Sequence, residues 1–305
     1  MNIGFIGLGV MGGPMCRNMA LKSPGAVTAF DLNAAACSAL EPAVVAFAAS
    51  IAEIAAHCDI VFLSLPGGPQ VEQVCLGPDG LATQARGPAI IVDLSTTTVA
   101  SARAIHARLA ERGIAFADAP VARTREAAQR GELSIMVGAD AATYGRILPL
   151  LQHIGSDVAL CGSVGCGQAV KLINNALVFE HTAALAEMMV VGERAGVEPG
   201  LLLDVLSKGS GDSFVLRNHG RKAMLPRVFP DKAFPPEYVI KDISYLLELS
   251  QMLQVPTPMT ELAHDYYQAT SSAGYAGRYF PVVIKLIEEG VDVRGAARDK
   301  RSSKA

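Results

Sequence analysis

Asn2-Ile-Gly-Phe-Ile-Gly7-Leu-Gly9-Val-Met-Gly12 opens the chain as a short apolar run broken by spaced glycines, and an apolar-periodic segment follows through Met15, Met19 and Leu21. This order reads as strand, glycine turn and helix. In a dinucleotide-binding unit the first glycine permits the tight turn, the second lets the backbone approach a pyrophosphate, and the third lets helix and strand pack closely. The helix N-terminus then offers N–H groups to the phosphates. A second strand, Val27 to Phe30, ends in Asp31. An acidic residue about 20 positions beyond the glycines accepts hydrogen bonds from ribose hydroxyls and repels a 2′-phosphate, so NAD is expected and NADP disfavoured.

The alternation continues. Strands are expected at Val44 to Phe47, Ile60 to Leu65, Ala89 to Leu94 and Ile114 to Ala117, with helical segments between them, including Thr98 to Arg112. Such βαβ crossovers imply a doubly wound parallel sheet covered on both faces, with ligand beyond the C-terminal strand ends. Polar punctuation falls at those ends: Ser64-Leu65-Pro66-Gly-Gly, Asp93-Leu-Ser95-Thr96-Thr-Thr98 and Asp118-Ala-Pro120-Val-Ala-Arg123-Thr124. A further strand pair, Leu133 to Val137 and Val158 to Leu160, flanks a helix from Ala141 to about Ile154 and completes a first domain over residues 1–163.

The second half reads differently. Gly165-Cys-Gly-Gln-Ala-Val-Lys171-Leu-Ile-Asn174-Asn175 enters a long helix with Val170, Ile173, Ala176, Leu177, Ala184 and Met188 on one face. Lys171, Asn174, Asn175 and Val178 share another, placing one ionisable donor beside two amides. That set suits a polar substrate, and Lys171 is the candidate catalytic group. Beyond residue 196 strand signals almost vanish. Helices are expected at Pro199 to Ser207, Val239 to Leu253, Pro258 to Ala273 and Phe280 to Glu289, forming an all-α domain over 164–290, with 291–305 as a flexible tail.

Half of the 305 residues are hydrophobic, and the formal charge is -3. This allows two cores and gives no basic surface for nucleic acid or an anionic membrane. The apolar N-terminus lacks a positive leader and is broken by glycines, and the apolar run after Asn175 holds Glu180, His181 and Glu187. Neither a secretory signal nor a membrane span is expected, so the protein is read as soluble and cytoplasmic. The six cysteines and six histidines stand singly, without metal-ligand spacing, and no metal is expected.

Taken in order, these motifs resemble the β-hydroxyacid dehydrogenase family. Gly7 to Gly12, Asp93-Leu-Ser-Thr96, Asp118-Ala-Pro-Val121, Gly165 to Asn175, and Phe234 followed seven residues later by Lys241-Asp242 carry the likeness, which spans residues 1 to about 290. It implies an NAD-dependent Rossmann domain joined to an all-helical domain. Gly7, Leu8, Gly9, Val10, Met11, Gly12 and Asp31 would bind the dinucleotide, with Leu65, Pro66, Thr96 and Lys241 along it. Lys171 matches the family's catalytic lysine and Asn175 its partner, while Ser95, Thr124 and Asn174 fall to the substrate. The family's substrate loop normally continues Asp-Ala-Pro-Val as Ser-Gly-Gly, and here Ala122-Arg123-Thr124 stands in its place. An arginine there resembles the sulfolactaldehyde reductase-like branch and offers a planar fork for a substrate carboxylate or sulfonate. The serine expected four residues after Asn174 is Val178. A second departure is Gly274-Tyr275-Ala-Gly277-Arg278-Tyr279-Phe280, where members often read Gly-His-Gly-Asp-Glu-Asp.

The resemblance therefore implies interconversion of a short β-hydroxy acid, or related anionic hydroxy compound, and its semialdehyde, with Lys171 as general acid and base. It also implies a homodimer or homotetramer. The alternative is a non-catalytic dinucleotide-binding or oligomerisation module on the same fold, in which the lysine is typically replaced. The longer 6-phosphogluconate dehydrogenases share the architecture, but this chain is too short for their helical domain.

Overall fold

Strand β1 (Ile3–Ile6) leads into α1 (Gly12–Lys22), β2 (Val27–Phe30), α2 (Ala34–Ser38), β3 (Ala46–Phe47), α3 (Ile51–His57), β4 (Ile60–Leu63), α4 (Gly68–Leu76) and β5 (Ile90–Asp93). The chain continues through α5 (Val99–Ala110), β6 (Ala115–Asp118), β7 (Val121–Ala122), α6 (Arg125–Arg130), β8 (Leu133–Gly138), α7 (Ala141–Leu151) and β9 (Gly155–Gly162). Helices α8 (Cys166–Arg194), α9 (Pro199–Leu206), α10 (Pro236–Met252), α11 (Pro258–Thr270) and α12 (Val283–Glu288) follow. The structure is a computed structural model, and it describes residues 1–40, 45–231, 233–291 and 293. Val44, the expected start of β3, and nearly all of the expected tail lie outside the described residues.

The strands form one sheet in the order β3-β2-β1-β4-β5-β6-β8-β7, with β9 paired to β8. From β3 to β6 all pairs are parallel, the order and direction of a doubly wound dinucleotide-binding sheet. Both faces are covered, so β1, β4 and β5 are buried throughout and read as continuous apolar runs. Phe5, Phe62 and Val92 join Met15, Met19, Ile147 and Leu150 in one core cluster. Val61, Leu63 and Ile91 join Ile54, Val71, Cys75, Ile105 and Leu109 in another.

The sheet is not wholly parallel as the alternation predicts. β8 runs antiparallel to β6 and to the short strand β7, and only β9 returns parallel to β8. β7 continues β6 in the same direction and register along β8, and the chain reverses only afterwards, through residues 123–132 that include α6, to return as β8 beside the strands it has just left. β7 has only two residues, so no alternation could mark it in the sequence.

The described chain divides into two compact units, Met1–Lys171 and the residues from Leu172 onward. The division falls inside α8, whose first turn is bonded to the strand ends of the first unit. In the second unit Phe179, Phe234, Tyr267 and Phe280 form an aromatic nucleus, with Phe179 and Phe280 edge to face at 5.5 Å. Tyr267, fully buried, donates its hydroxyl to the Phe179 carbonyl at 3.2 Å. Among the described residues its β structure is limited to an isolated bridge between Asp231 and Arg278.

Two features of this unit differ from expectation. Leu216–Met224 forms a π-helix, which the polar run Arg217-Asn218-His219-Gly220 conceals because it carries no 3.6-residue apolar repeat. The long helix α8 packs through Ala176, Phe179, Ala183, Ala186, Met189 and Val190, whereas Val170, Ile173, Leu177 and Met188 are exposed. Of the face predicted from spacing, only Ala176 is buried. Two apolar stripes run along this helix, and periodicity alone cannot rank them.

Helix termini in the first unit are capped by side chains at α3, α5, α6 and α7. At α7 Asp140 accepts from Thr143 N at 2.9 Å and from Thr143 Oγ1 at 2.6 Å, and these bonds hold its carboxyl below the ordinary range. A depressed carboxyl pKa stabilises above the unfolded pKa and loses that contribution as pH falls through the folded one. Asp140→Ala should therefore cost about 1 kcal/mol at neutral pH. Urea unfolding should show the difference from the parent shrinking as pH drops below the carboxylate range.

Candidate active site

The glycine turn of the first unit has the shape its spacing predicts. Gly7 takes φ 96°, and a Cβ there would collide with the Ser64 carbonyl. A Cβ at Gly12 would collide with the Gly7 carbonyl, so the third glycine lets α1 start against β1. At Gly9, by contrast, a Cβ would meet no atom of the protein within 4 Å. Helix α1 also starts at Met11 with no side-chain cap and no acidic residue in its first turn. An uncapped N-terminus next to an open glycine edge is the arrangement that receives a pyrophosphate. The residues present thus fit a dinucleotide.

Asp31 braces the glycine turn from the end of β2. Its Oδ2 accepts from Leu8 N at 2.6 Å, and its Oδ1 accepts from Asn33 N at 2.7 Å. Pro66 precedes α4, which likewise starts without a side-chain cap, and Leu65 N donates to Ser95 Oγ at 2.9 Å. Ser95, expected at the substrate, is buried and joins the β4 and β5 loops. Thr96 follows it, half-buried.

Two carboxylates stand at the ends of β5 and β6 with no exposed surface. Asp93 Oδ1 accepts from Ser95 N at 2.9 Å, while its Oδ2 has no hydrogen-bond partner. Burial pushes this carboxyl up to about 7, against the opposing bonds from Ser95. Asp118 accepts from Gly165 N and Gln168 N, each at 2.7 Å, and so caps α8 from across the fold. Burial raises it to about 6, against those same two bonds. Gln168 is fully buried. Its Oε1 accepts from Thr97 N at 3.0 Å and its Nε2 donates to the Ser95 carbonyl at 2.8 Å. A Cβ at Gly167 would collide with the Met136 carbonyl and lie 2.8 Å from Asp118 Oδ2, so the second glycine of this motif is needed for close approach. Lys171, half-buried, stands one turn beyond Gln168.

On the same helix, Asn174 Nδ2 donates to Asn175 Oδ1 at 3.2 Å. Asn175, buried, donates through Nδ2 to Asp242 Oδ2 at 2.8 Å. Lys241 Nζ lies 3.1 Å from Asp242 Oδ1 and 5.2 Å from the centre of the Tyr245 ring. Asp242 is 3% exposed, so an unpaired charge there would be costly, and the lysine beside it compensates that charge. Asp242 and Gln168 both lie inside motifs of the sequence, at positions that composition and spacing alone do not mark as functional. Their signal is position next to a catalytic or cofactor candidate.

The loop after Pro120 departs from its expected pose. Arg123 has φ 85°, a left-handed conformation that costs a non-glycine residue about 1–2 kcal/mol. Its Nη1 donates to the Glu132 carbonyl at 2.6 Å and to Ser156 Oγ at 2.8 Å, and its Nη2 lies 4.0 Å from Asp157. The guanidinium thus ties the loop to β8 and β9. Thr124 caps α6, accepting from Ala127 N at 3.3 Å. In the second unit Tyr275 bonds Glu289, Arg278 pairs with Asp231 at 3.3 Å, and Tyr279 OH lies 2.8 Å from His219 Nδ1. Burial holds His219 down to about 4.

Among the described residues no three His, Cys, Asp or Glu side chains gather as a metal site, and no helix is long and apolar enough to cross a membrane. Residues 2–163 match the family described as the NAD binding domain of 6-phosphogluconate dehydrogenase. Residues 165–287 match the NAD-binding family of NADP-dependent 3-hydroxyisobutyrate dehydrogenase. The chain is 37% identical to 2-(hydroxymethyl)glutarate dehydrogenase of Eubacterium barkeri, over 96% of this chain and 97% of the relative. It is 34% identical to the NAD-dependent L-serine dehydrogenase of Pseudomonas aeruginosa, over 94% and 97%. The structure of Mycobacterium tuberculosis 3-hydroxyisobutyrate dehydrogenase with L-serine superposes with a TM-score of 0.85 at 29% identity, covering 94% of this chain and 98% of that one. The cradle, the lysine helix and these relatives agree, and the chain belongs to the β-hydroxyacid dehydrogenase family of NAD(P)-dependent oxidoreductases.

Proposed function

We propose that the protein interconverts a short β-hydroxy acid and its semialdehyde with NAD, using Lys171 as the general acid and base. One observation carries this reading: the helix bearing Lys171 is held by Asp118 and by the Ser95–Thr97 turn, both at the C-terminal edge of the parallel sheet. Ligands of doubly wound sheets bind at that edge. The relatives named above act on 2-(hydroxymethyl)glutarate and L-serine, both β-hydroxy acids, which supports the substrate class.

The nicotinamide, when bound, supplies the hydride chemistry. In oxidation neutral Lys171 accepts the hydroxyl proton, and in reduction the ammonium returns one to the carbonyl oxygen. Asn175, its amide oriented by Asp242, is assigned as the lysine's partner. The substrate anion is assigned to the Val121–Thr124 loop, whose backbone conformation the Arg123 side chain maintains. By family resemblance Asn174 falls to the substrate, and Leu65, Pro66, Thr96 and Lys241 to the cofactor.

A second proposal concerns assembly. Ile173, Leu177, Met188 and Val191 on α8 are all between 48% and 60% exposed, at spacings of four, eleven and three. An exposed apolar stripe on one helix face is the kind of surface that marks an interaction site. We assign it to a second copy of the chain.

Three measurements test these assignments. Oxidation of 2-(hydroxymethyl)glutarate, L-serine and 3-hydroxyisobutyrate, with reduction of sulfolactaldehyde alongside, should give turnover with at least one carboxylate. Lys171→Ala should then lower kcat by roughly 10²–10⁴-fold while leaving dinucleotide affinity unchanged. No turnover with any of the four would favour the binding-module reading. The parent should prefer NADH to NADPH. Asp31→Asn, which keeps an acceptor for Leu8 N but removes the charge, should narrow that preference by about tenfold. Met188→Glu should shift sedimentation from oligomer to monomer, and a parent that sediments as a monomer would sink the assembly proposal.

A further inference from the structure

Gln168 is the point where three strand-end loops and the lysine helix meet. Its backbone N–H is held by Asp118 at the end of β6, and both ends of its side chain bond the Ser95–Thr97 turn after β5. Ser95 in turn accepts from Leu65 N after β4. Each of these bonds is local to the first unit, and Gln168 is fully buried. An amide is the side chain this place requires. It must accept from one backbone N–H and donate to one carbonyl, and a carboxylate could only accept. Gly167 allows the helix to approach Asp118, and Gly165, at φ 93°, supplies the turn before it.

We propose that Gln168 is a positioning residue for Lys171, fixing the rotation of α8 about its axis and hence the direction in which the amine is presented one turn later. The proposal rests on the reading of Lys171 as the proton-transfer group. The leverage is large. A lysine amine stands on the order of 8 Å from the helix axis, so a helix rotation of about 20° would swing it through about 3 Å. Misplacement of a reacting group by about 1 Å can cost about 100-fold in rate.

The test compares Gln168→Glu and Gln168→Leu with the parent, each alone and combined with Lys171→Ala, by single-turnover NAD reduction with the best hydroxy acid of the panel above. A protonated glutamate reproduces the amide, accepting through its carbonyl and donating through its hydroxyl, while the ionised form would face the Ser95 carbonyl with a charge. The Gln168→Glu rate relative to the parent at the same pH should therefore approach unity at low pH and fall by about 100-fold as pH rises. Asp93, Asp118, Arg103, Cys75, Cys161 and Cys166 are the charged and titratable groups coupled to this cluster, and the parent measured at each pH supplies the baseline for them. Gln168→Leu should be slow at every pH. In the Lys171→Ala background neither change should lower the residual rate further. Thermal melts and dinucleotide affinity, measured on every variant, separate misfolding from mispositioning. Equal rate losses with and without Lys171, or pH-independent parental turnover in Gln168→Glu, would overturn the proposal. Parental turnover in Lys171→Ala alone would instead sink the lysine assignment on which it rests.

Discussion

The carboxylate of Asp118 accepts two backbone N–H groups from the entry to α8, and the placement of the lysine helix depends on that pair of bonds. A helix start leaves several N–H groups unpaired, and when they are buried each needs a partner. Gly165, just before Cys166, has no side chain with which to cap this end. A strand-end aspartate about fifty positions earlier does so, with the Gln168 side chain bonding the turn after the adjacent strand. The cost of leaving such buried groups unpaired, about 1–3 kcal/mol each, is what makes this arrangement specific.

That arrangement also explains a chemical economy in the first unit. Most of its polar strand-end residues act on the protein itself. Ser95 holds Leu65, Asp31 holds Leu8, and Arg123 holds the loop before α6. By contrast, a Cβ at Gly9 would meet no atom of the protein, and α1 and α4 start without a side-chain cap. A dinucleotide needs a backbone prepared in advance, since ordering a loop on binding weakens affinity. Side chains that brace the loops keep it prepared.

The second unit has a parallel logic with different chemistry. Asp242 is nearly inaccessible and sits between an amide donor, Asn175, and a cation, Lys241. Removing either neighbour would leave a buried carboxylate poorly compensated. In the same unit an apolar cluster with an aromatic nucleus holds α8, α10 and α11 together, and Arg227, in a left-handed conformation, pairs with Glu193 and Glu288.

The alternation of strands and helices, the glycine turn, the acidic end of β2 and the lysine helix were legible in the sequence because each rests on local pattern. Doubly covered strands must be apolar on both faces, a pyrophosphate site must have glycines at set intervals, and a long helix must repeat every 3.6 residues. What the tertiary structure decided was every choice between locally equal alternatives. It selected which of two apolar stripes on α8 packs inward and turned the Arg123 guanidinium toward β8 and β9. It reversed β8 relative to β6, wound Leu216–Met224 as a π-helix, and brought Gln168 to a turn some seventy residues earlier in the chain. Sequence patterns encode the needs of one segment. A hydrogen-bond partner or a covering face is supplied by another segment, and only the folded chain says which one.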